Sequence, residues 1–270
     1  MTYQPTTDLI RRFNIHTGGK GSQPMLFAHG YGCDQNMWRF VSPHFEKGYK
    51  TVLFDYIGAG KSDVSVYDPN KYSSLEAYAD DVIAICEGLK LTEVVFVGHS
   101  VSSMIGVLAA NKRPDLFARL VLVGPSPRYI NDDNYVGGFD EDAIEELLDT
   151  LDTNYLGWST TMAPVIMGNP ERPELGKELS NSFCQTDPEI AKNFARATFL
   201  SDNRKDLKRL QIPTLVLQCS QDVIAPVEVG TYVAEAIPNS SLKILSATGH
   251  CPNLSAPEET VDAIKEFLEN

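Results

Sequence analysis

The stretch Glu93-Val-Val-Phe-Val-Gly98-His99-Ser100-Val101-Ser102 decides the fold. An apolar run ends in glycine, a serine follows, and a helical pattern begins at once. That order describes a strand, a very sharp turn and a helix, with the Ser100 hydroxyl raised at the apex. A hydroxyl held there lies beside a helix N-terminus, where free N–H groups can meet a developing negative charge. A Gly-x-Ser tripeptide alone is common. The strand before it and the helix after it favour a nucleophile elbow over a buried strand followed by a serine cap.

The same alternation continues on both sides. Residues 11–16 read as an early strand, 24–28 as a short strand closed by His29-Gly30, and 49–54 as the next, ending at Asp55. Beyond Ser73, the apolar residues Leu75, Tyr78, Ala79, Val82, Cys86 and Leu89 recur at helical spacing, and Ser73 with Glu76 offers a capping box. Residues 94–97 and 119–123 read as strands flanking a helix over 101–111. Later come strand 214–218, helix 227–236, strand 242–245 and helix 258–268. Continuous apolar strands alternating with amphipathic helices predict an α/β fold, a mostly parallel sheet with helices on both faces. In such a sheet, active residues gather beyond the carboxyl ends of the strands.

Residues 127–201 break the rhythm. They contain no convincing strand. Ile144, Leu147, Leu148 and Leu151 share one helical face with acids opposite, and further helical pieces are expected over 156–167, 174–183 and 188–200. Pro164, Gly168, Pro170, Pro173 and Pro188 punctuate them. The expected organisation is a core of residues 1–126 and 202–270, with 127–201 inserted as a helical cap; the competing reading makes this segment part of the main helical layer.

Formal net charge is −13 over 270 residues, which disfavours nucleic-acid and anionic-membrane partners. No apolar run approaches a membrane span. The opening Met1-Thr-Tyr-Gln-Pro5 lacks the basic start and apolar stretch of a signal peptide. Cys33, Cys86, Cys184, Cys219 and Cys251 are scattered, with neither a disulfide framework nor zinc spacing, and read as reduced thiols in a cytoplasmic protein.

A serine hydroxyl needs a base within hydrogen-bond reach, and the base needs an orienting acid. Asp222 follows the apolar run 214–218, and His250 follows 242–245. Asp202 and Asp206 compete for the acid's place, but only Asp222 directly follows a buried strand. His16, His29, His44 and His99 are less well placed than His250. The order serine, acid, histidine fits the α/β-hydrolase arrangement. Two N–H donors must hold an oxyanion: Val101 is expected to supply one, and Tyr31, in the glycine-bearing loop Ala28-His29-Gly30-Tyr31-Gly32, the other. That loop lacks the third glycine and the lysine of a phosphate-binding loop. Trp158, Met162, Leu179, Phe183 and Phe199 are candidates for a pocket wall or, equally, for core.

The elbow Gly98-His-Ser-Val-Ser102, the loop Ala28-His-Gly-Tyr-Gly-Cys-Asp-Gln35, and the segments Gly124-Pro-Ser-Pro-Arg128 and Gly249-His-Cys-Pro252 together resemble RsbQ-type α/β-hydrolases. That family includes a bacterial stress-response regulator and, more distantly, the plant strigolactone and karrikin receptors. The resemblance covers nearly the whole chain. It implies a four-helix cap over a hydrophobic cavity, Ser100, Asp222 and His250 as triad, and Tyr31, Tyr129, Trp158 and Phe199 lining the cavity. Ser102 departs from the general hydrolase signature, which has a second glycine there; the plant receptors carry serine too.

These readings converge on a serine hydrolase for a small hydrophobic ester or lactone, requiring no cofactor. The resemblance implies slow turnover in signalling, with a phosphatase carrying a sensor domain as partner. The alternative is a ligand-binding receptor whose hydrolysis is incidental, with the acidic helix 140–152 as one docking face, although such a face is more often simply solvated. Haloalkane or epoxide chemistry is weaker, because those relatives place a carboxylate where Ser100 stands.

Overall fold

The computed structural model describes residues 5–269, with side chains from residue 7 onward, so Met1-Thr-Tyr-Gln of the leader reading lies outside the described residues. Seven strands form one sheet: β1 (His16–Gly18), β2 (Pro24–Ala28), β3 (Lys50–Leu53), β4 (Val94–His99), β5 (Phe117–Val123), β6 (Thr214–Gln221) and β7 (Ser240–Thr248). Their order is β1-β3-β2-β4-β5-β6-β7. Only β1, on the edge, pairs antiparallel; the other five pairings are parallel. Every residue of β2 and β4 is buried, so both faces of the sheet are covered there, as parallel sheets require.

The helices are α1 (Pro5–Arg12), α2 (Leu75–Gly88), α3 (Val101–Lys112), α4 (Glu141–Met167), α5 (Pro173–Gln185), α6 (Pro188–Phe199), α7 (Arg204–Leu207), α8 (Val227–Ala236), α9 (Pro252–Ser255) and α10 (Pro257–Glu269). Helix α3 lies close on β4 because Gly106 faces the Phe96 ring, and a Cβ there would sit 2.3 Å from a ring carbon. Among the described residues, no helix is long and apolar enough to cross a membrane.

Strand β2 is flanked by β3 on one side and β4 on the other. The chain therefore reverses its direction of travel across the sheet between β3 and β4. At such a reversal a crevice opens beyond the carboxyl ends of the strands. Ala28 and Gly98 are partners in the β2–β4 register, so the loop after β2 and the turn after β4 leave the sheet side by side.

Two local expectations are corrected. Residues 11–16 do not form a strand: α1 runs to Arg12, and the chain turns at Asn14, whose φ is 45°, before β1. Phe13 and Ile15 are both buried, which imitates the alternation of a strand. The Ser73–Glu76 capping box does not form, because a 3-10 turn over Lys71–Ser73 precedes α2. Ser73 Oγ donates instead to Asn70 O, and Glu76 pairs with Lys112 of α3. The two helices expected over 140–151 and 156–167 both form, as the two halves of α4, which breaks at Asn154 (φ −150°, ψ 64°).

Candidate active site

Ser100 occupies the turn between β4 and α3 with φ 57° and ψ −123°, a conformation that side chains rarely adopt. Such strain costs on the order of 1–3 kcal/mol and persists only where neighbours enforce it. Here Ser100 N–H donates to Val123 O (2.8 Å), Ser103 N–H to Ser100 O (2.9 Å), and Ser103 Oγ to Gly98 O (3.1 Å). Ser102, at the position of the missing glycine, is tied in as well. Its hydroxyl donates to His29 O at 2.5 Å and hydrogen-bonds the Tyr56 hydroxyl at 2.9 Å. The departure from the signature thus links α3 to the loop after β2.

Asp222 directly follows β6, and Gly249-His250 directly follow β7. Gly249 is required by backbone geometry: its φ is 83°, and a Cβ there would lie 1.8 Å from Met167 O. Its N–H donates to Gln221 O (2.7 Å), while His250 N–H donates to Ile166 O of α4 (2.9 Å). The imidazole is thereby aimed back across the sheet edge. His250 Nδ1 lies 2.7 Å from Asp222 Oδ2, and Nε2 lies 2.7 Å from Ser100 Oγ. Asp222 Oδ1 accepts from the N–H groups of Ile224 (2.8 Å) and Ala225 (3.1 Å). Burial raises the Asp222 carboxyl, but the His250 imidazole and these two N–H groups outweigh it, and the net pKa is lowered. Asp202 and Asp206 are engaged elsewhere, with Arg128 and Arg204 and with Arg209 respectively.

An imidazole whose Nδ1 faces a carboxylate donates its proton there, leaving Nε2 as the acceptor facing the serine hydroxyl. A hydroxyl hydrogen-bonded in this way can lose its proton as it attacks. Val101 is the first residue of α3, so its N–H has no acceptor within the helix. Beside it, Gly30 lies against the His99 ring and Ser100 Cβ, bringing the Tyr31 backbone to the same place.

His99, set aside by sequence, proves to be part of the scaffold. It is fully buried, and its Nε2–H donates to His250 O at 2.7 Å. Burial pushes its pKa down to about 3, helped by the nearby His250 ring and opposed by the hydrogen bond to His250 O and by Asp222. The other ring nitrogen, Nδ1, has no partner among the described residues.

Above Ser100 is a narrow cavity, with about 30 Å³ open to the centres of water-sized molecules. Of the expected wall residues, Tyr31, Tyr129, Trp158, Leu179, Phe183 and Phe199 line it. Met162 is not among the lining residues; it is partly buried and packs on the core, while Ile166 one turn further reaches the cavity. Helical spacing identifies the buried stripe, not which of its turns faces empty space. Sequence reasoning also missed Cys33, Thr198, Ile224 and Cys251 in the wall. Burial pushes the Cys33 thiol up to about 12, so it is an apolar, protonated wall group. Burial raises the Tyr129 phenol too, offset in part by the neighbouring Ser100 hydroxyl. Among the described residues, no group of three or more His, Cys, Asp or Glu side chains is placed to hold a metal ion.

A sheet of this order, carrying a serine after β4, an acid after β6 and a histidine after β7, defines the class of α/β-hydrolases. The model of the alpha/beta hydrolase fold family matches residues 23–257, and the chain belongs to that family. Among similar proteins is the karrikin insensitive 2 receptor CA of Petunia hybrida, 38% identical over 256 residues, covering 94% of this chain and 95% of the receptor. The strigolactone esterase RMS3 of Pisum sativum is 38% identical over 253 residues, covering 93% and 94%. A solved structure of a hydrolase from Oleispira antarctica superposes with a TM-score of 0.96 at 44% identity, covering 98% of this chain and 97% of that one.

Proposed function

We propose that this protein is an RsbQ-type serine hydrolase acting on a small hydrophobic ester or lactone in a signalling pathway such as stress-response regulation. The observation that carries the reading is the unbroken hydrogen-bonded series from Asp222 through His250 to Ser100, ending at the floor of an apolar cavity. In this reading Ser100, His250 and Asp222 are the catalytic triad, and Val101 and Tyr31 N–H groups form the oxyanion hole. Ser100 Oγ attacks the carbonyl carbon while His250 Nε2 takes its proton. The carbonyl oxygen becomes an oxyanion between the two N–H donors, each worth about 3 kcal/mol to the transition state. His250 then protonates the leaving alkoxide, which for a lactone stays tethered to the acyl group. Water, deprotonated by the same imidazole, releases the acid and restores Ser100. Asp222 stays ionised throughout and offsets the imidazolium charge.

The division into a core of 1–126 and 202–270 and a four-helix cap of 127–201 belongs to the same proposal, with the two halves of α4 counted separately. So do a cytoplasmic location and a phosphatase partner carrying a sensor domain. Tyr129, Trp158, Leu179 and Phe199 form the substrate wall, joined by Ile166 in place of Met162.

A second reading, a ligand receptor with incidental slow hydrolysis, is favoured by the name of the Petunia relative, a receptor, beside that of the pea relative, an esterase. One experiment addresses both. Short aryl esters and butenolide-like lactones are screened, and the Ser100 adduct is trapped and weighed by mass spectrometry. Hydrolysis with a Ser100 adduct, both lost in Ser100→Ala, supports the enzyme. Ligand binding that persists in Ser100→Ala, together with signalling, supports the receptor. Hydrolysis that survives Ser100→Ala refutes the assignment of the nucleophile.

A further inference from the structure

Tyr31 borders two spaces. On one side is the cavity above Ser100; on the other is a smaller chamber of about 10 Å³, room for about one water. Its walls include His29, Tyr56, Gly58, Tyr78, Thr186 and Phe194. Tyr31 is the one lining residue common to both spaces. Its ring stands edge-on to Phe183 at 5.8 Å and Phe199 at 6.2 Å, and meets Phe194 of the rear chamber at 5.8 Å. Its hydroxyl donates to Ala191 O of α6 at 3.1 Å, pinning the ring in place.

We infer that Tyr31 has two separable parts. Its backbone N–H serves the oxyanion, and its side chain is a partition that sets the depth of the substrate cavity. The rear chamber is then a latent acyl-chain subsite, closed in the native protein and opened by removing the ring. This rests on the hydrolase reading for its kinetic test alone. The chamber's chemistry suits an alkyl chain. His29 Nε2 already accepts from Tyr56 N–H (3.1 Å), and the Tyr56 hydroxyl is engaged with Ser102. The Tyr78 hydroxyl has no partner to lose. An alkyl chain entering there breaks none of these contacts and gains about fourfold in binding per buried methylene.

The test compares wild type, Tyr31→Ala, Tyr31→Leu and the double variant Tyr31→Ala/Ile190→Trp on p-nitrophenyl butanoate and octanoate. Ile190 lines the rear chamber away from Ser100, so the tryptophan refills the space without touching the cavity. The octanoate-to-butanoate ratio of kcat/KM is expected to rise at least about tenfold in Tyr31→Ala, and to fall back in the double variant. Tyr31→Leu, which keeps an apolar filler, is expected to fall between. A ratio within about twofold of wild type in both single variants, or no reversal by Ile190→Trp, overturns the inference. The same comparison is made without catalysis, as binding of octanamide and butanamide to the Ser100→Ala forms, read by the fluorescence of Trp158 in the cavity wall. Preference for octanamide that is greatest in Tyr31→Ala and reversed by Ile190→Trp supports the partition, and equal preference in all forms overturns it. Failure of every protein to hydrolyse either ester counts against the hydrolase reading, and the amide comparison then still decides the chamber.

Discussion

Acidification from pH 6.5 to 5 should cost this protein about 2 kcal/mol of stability through one side chain, His99. An unfolded histidine takes a proton near pH 6.5. In the folded protein, burial holds His99 neutral down to about 3. Between those values the unfolded chain binds one proton more than the folded one, so stability falls as pH falls. The slope rises from about 0.7 kcal/mol per pH unit at pH 6.5, where the unfolded imidazole is half protonated, to nearly 1.4 at pH 5, and the integral is about 1.6, or roughly 2 kcal/mol. That figure requires only that the folded value lie below about 4. The assay is urea unfolding of wild type and His99→Gln at pH 6.5, 5.5 and 5. Glutamine keeps an N–H of similar reach for His250 O and cannot titrate. Other titrating groups, including His29, whose pKa burial also lowers, remain in both proteins and cancel in the difference. Wild type is expected to lose about 2 kcal/mol more than His99→Gln over this range. Parallel losses in the two proteins would refute the reasoning, because His99 would then share its protonation state between folded and unfolded chains.

Ser100→Ala should lower hydrolysis by at least about 10⁴-fold while leaving the fold intact, read by burst kinetics and thermal unfolding. Asp222→Asn should lower kcat by about 10⁴-fold, because the amide no longer selects the imidazole tautomer with its lone pair toward Ser100. Since the Asp222 carboxyl is held below its ordinary value, its stabilisation is present above about pH 3.9 and is lost as pH falls through the folded value. Acid unfolding of Asp222→Asn should lack that contribution. Gly249→Ala should cost at least about 2 kcal/mol by thermal unfolding and remove activity with it, because the new methyl meets Met167 O and forces the backbone that aims His250 to move.

The centre of the sheet was legible because every residue of β2 and β4 is buried, so each strand is written as an unbroken apolar run; the mostly exposed edge strand β1 was misplaced. The candidate residues Ser100, Asp222 and His250 were legible for a related reason: each lies just past a strand, and parallel strands end on one edge. What escaped was set by contacts between distant segments. His99 looked idle because its partner is a backbone carbonyl 151 residues away. Ser102 looked like a blemish because the atoms that use its hydroxyl lie 46 and 73 residues earlier. Local periodicity carries no record of such pairings.

The cavity wall explains why enzyme and receptor readings share one set of residues. Two hydroxyls around it are already committed to backbone carbonyls: Tyr31 to Ala191 and Thr198 to Phe194. Tyr129 lines the same cavity beside Ser100. A ligand's distant polar groups would therefore be desolvated without return, at a cost of about 1–3 kcal/mol each. In the proposed reading, a carbonyl placed at Ser100 meets the Val101 and Tyr31 N–H groups. Affinity in this cavity comes from apolar and aromatic area, while orientation comes from the reacting carbonyl alone. A ligand selected by such a wall is bound through the very atoms that would cleave it.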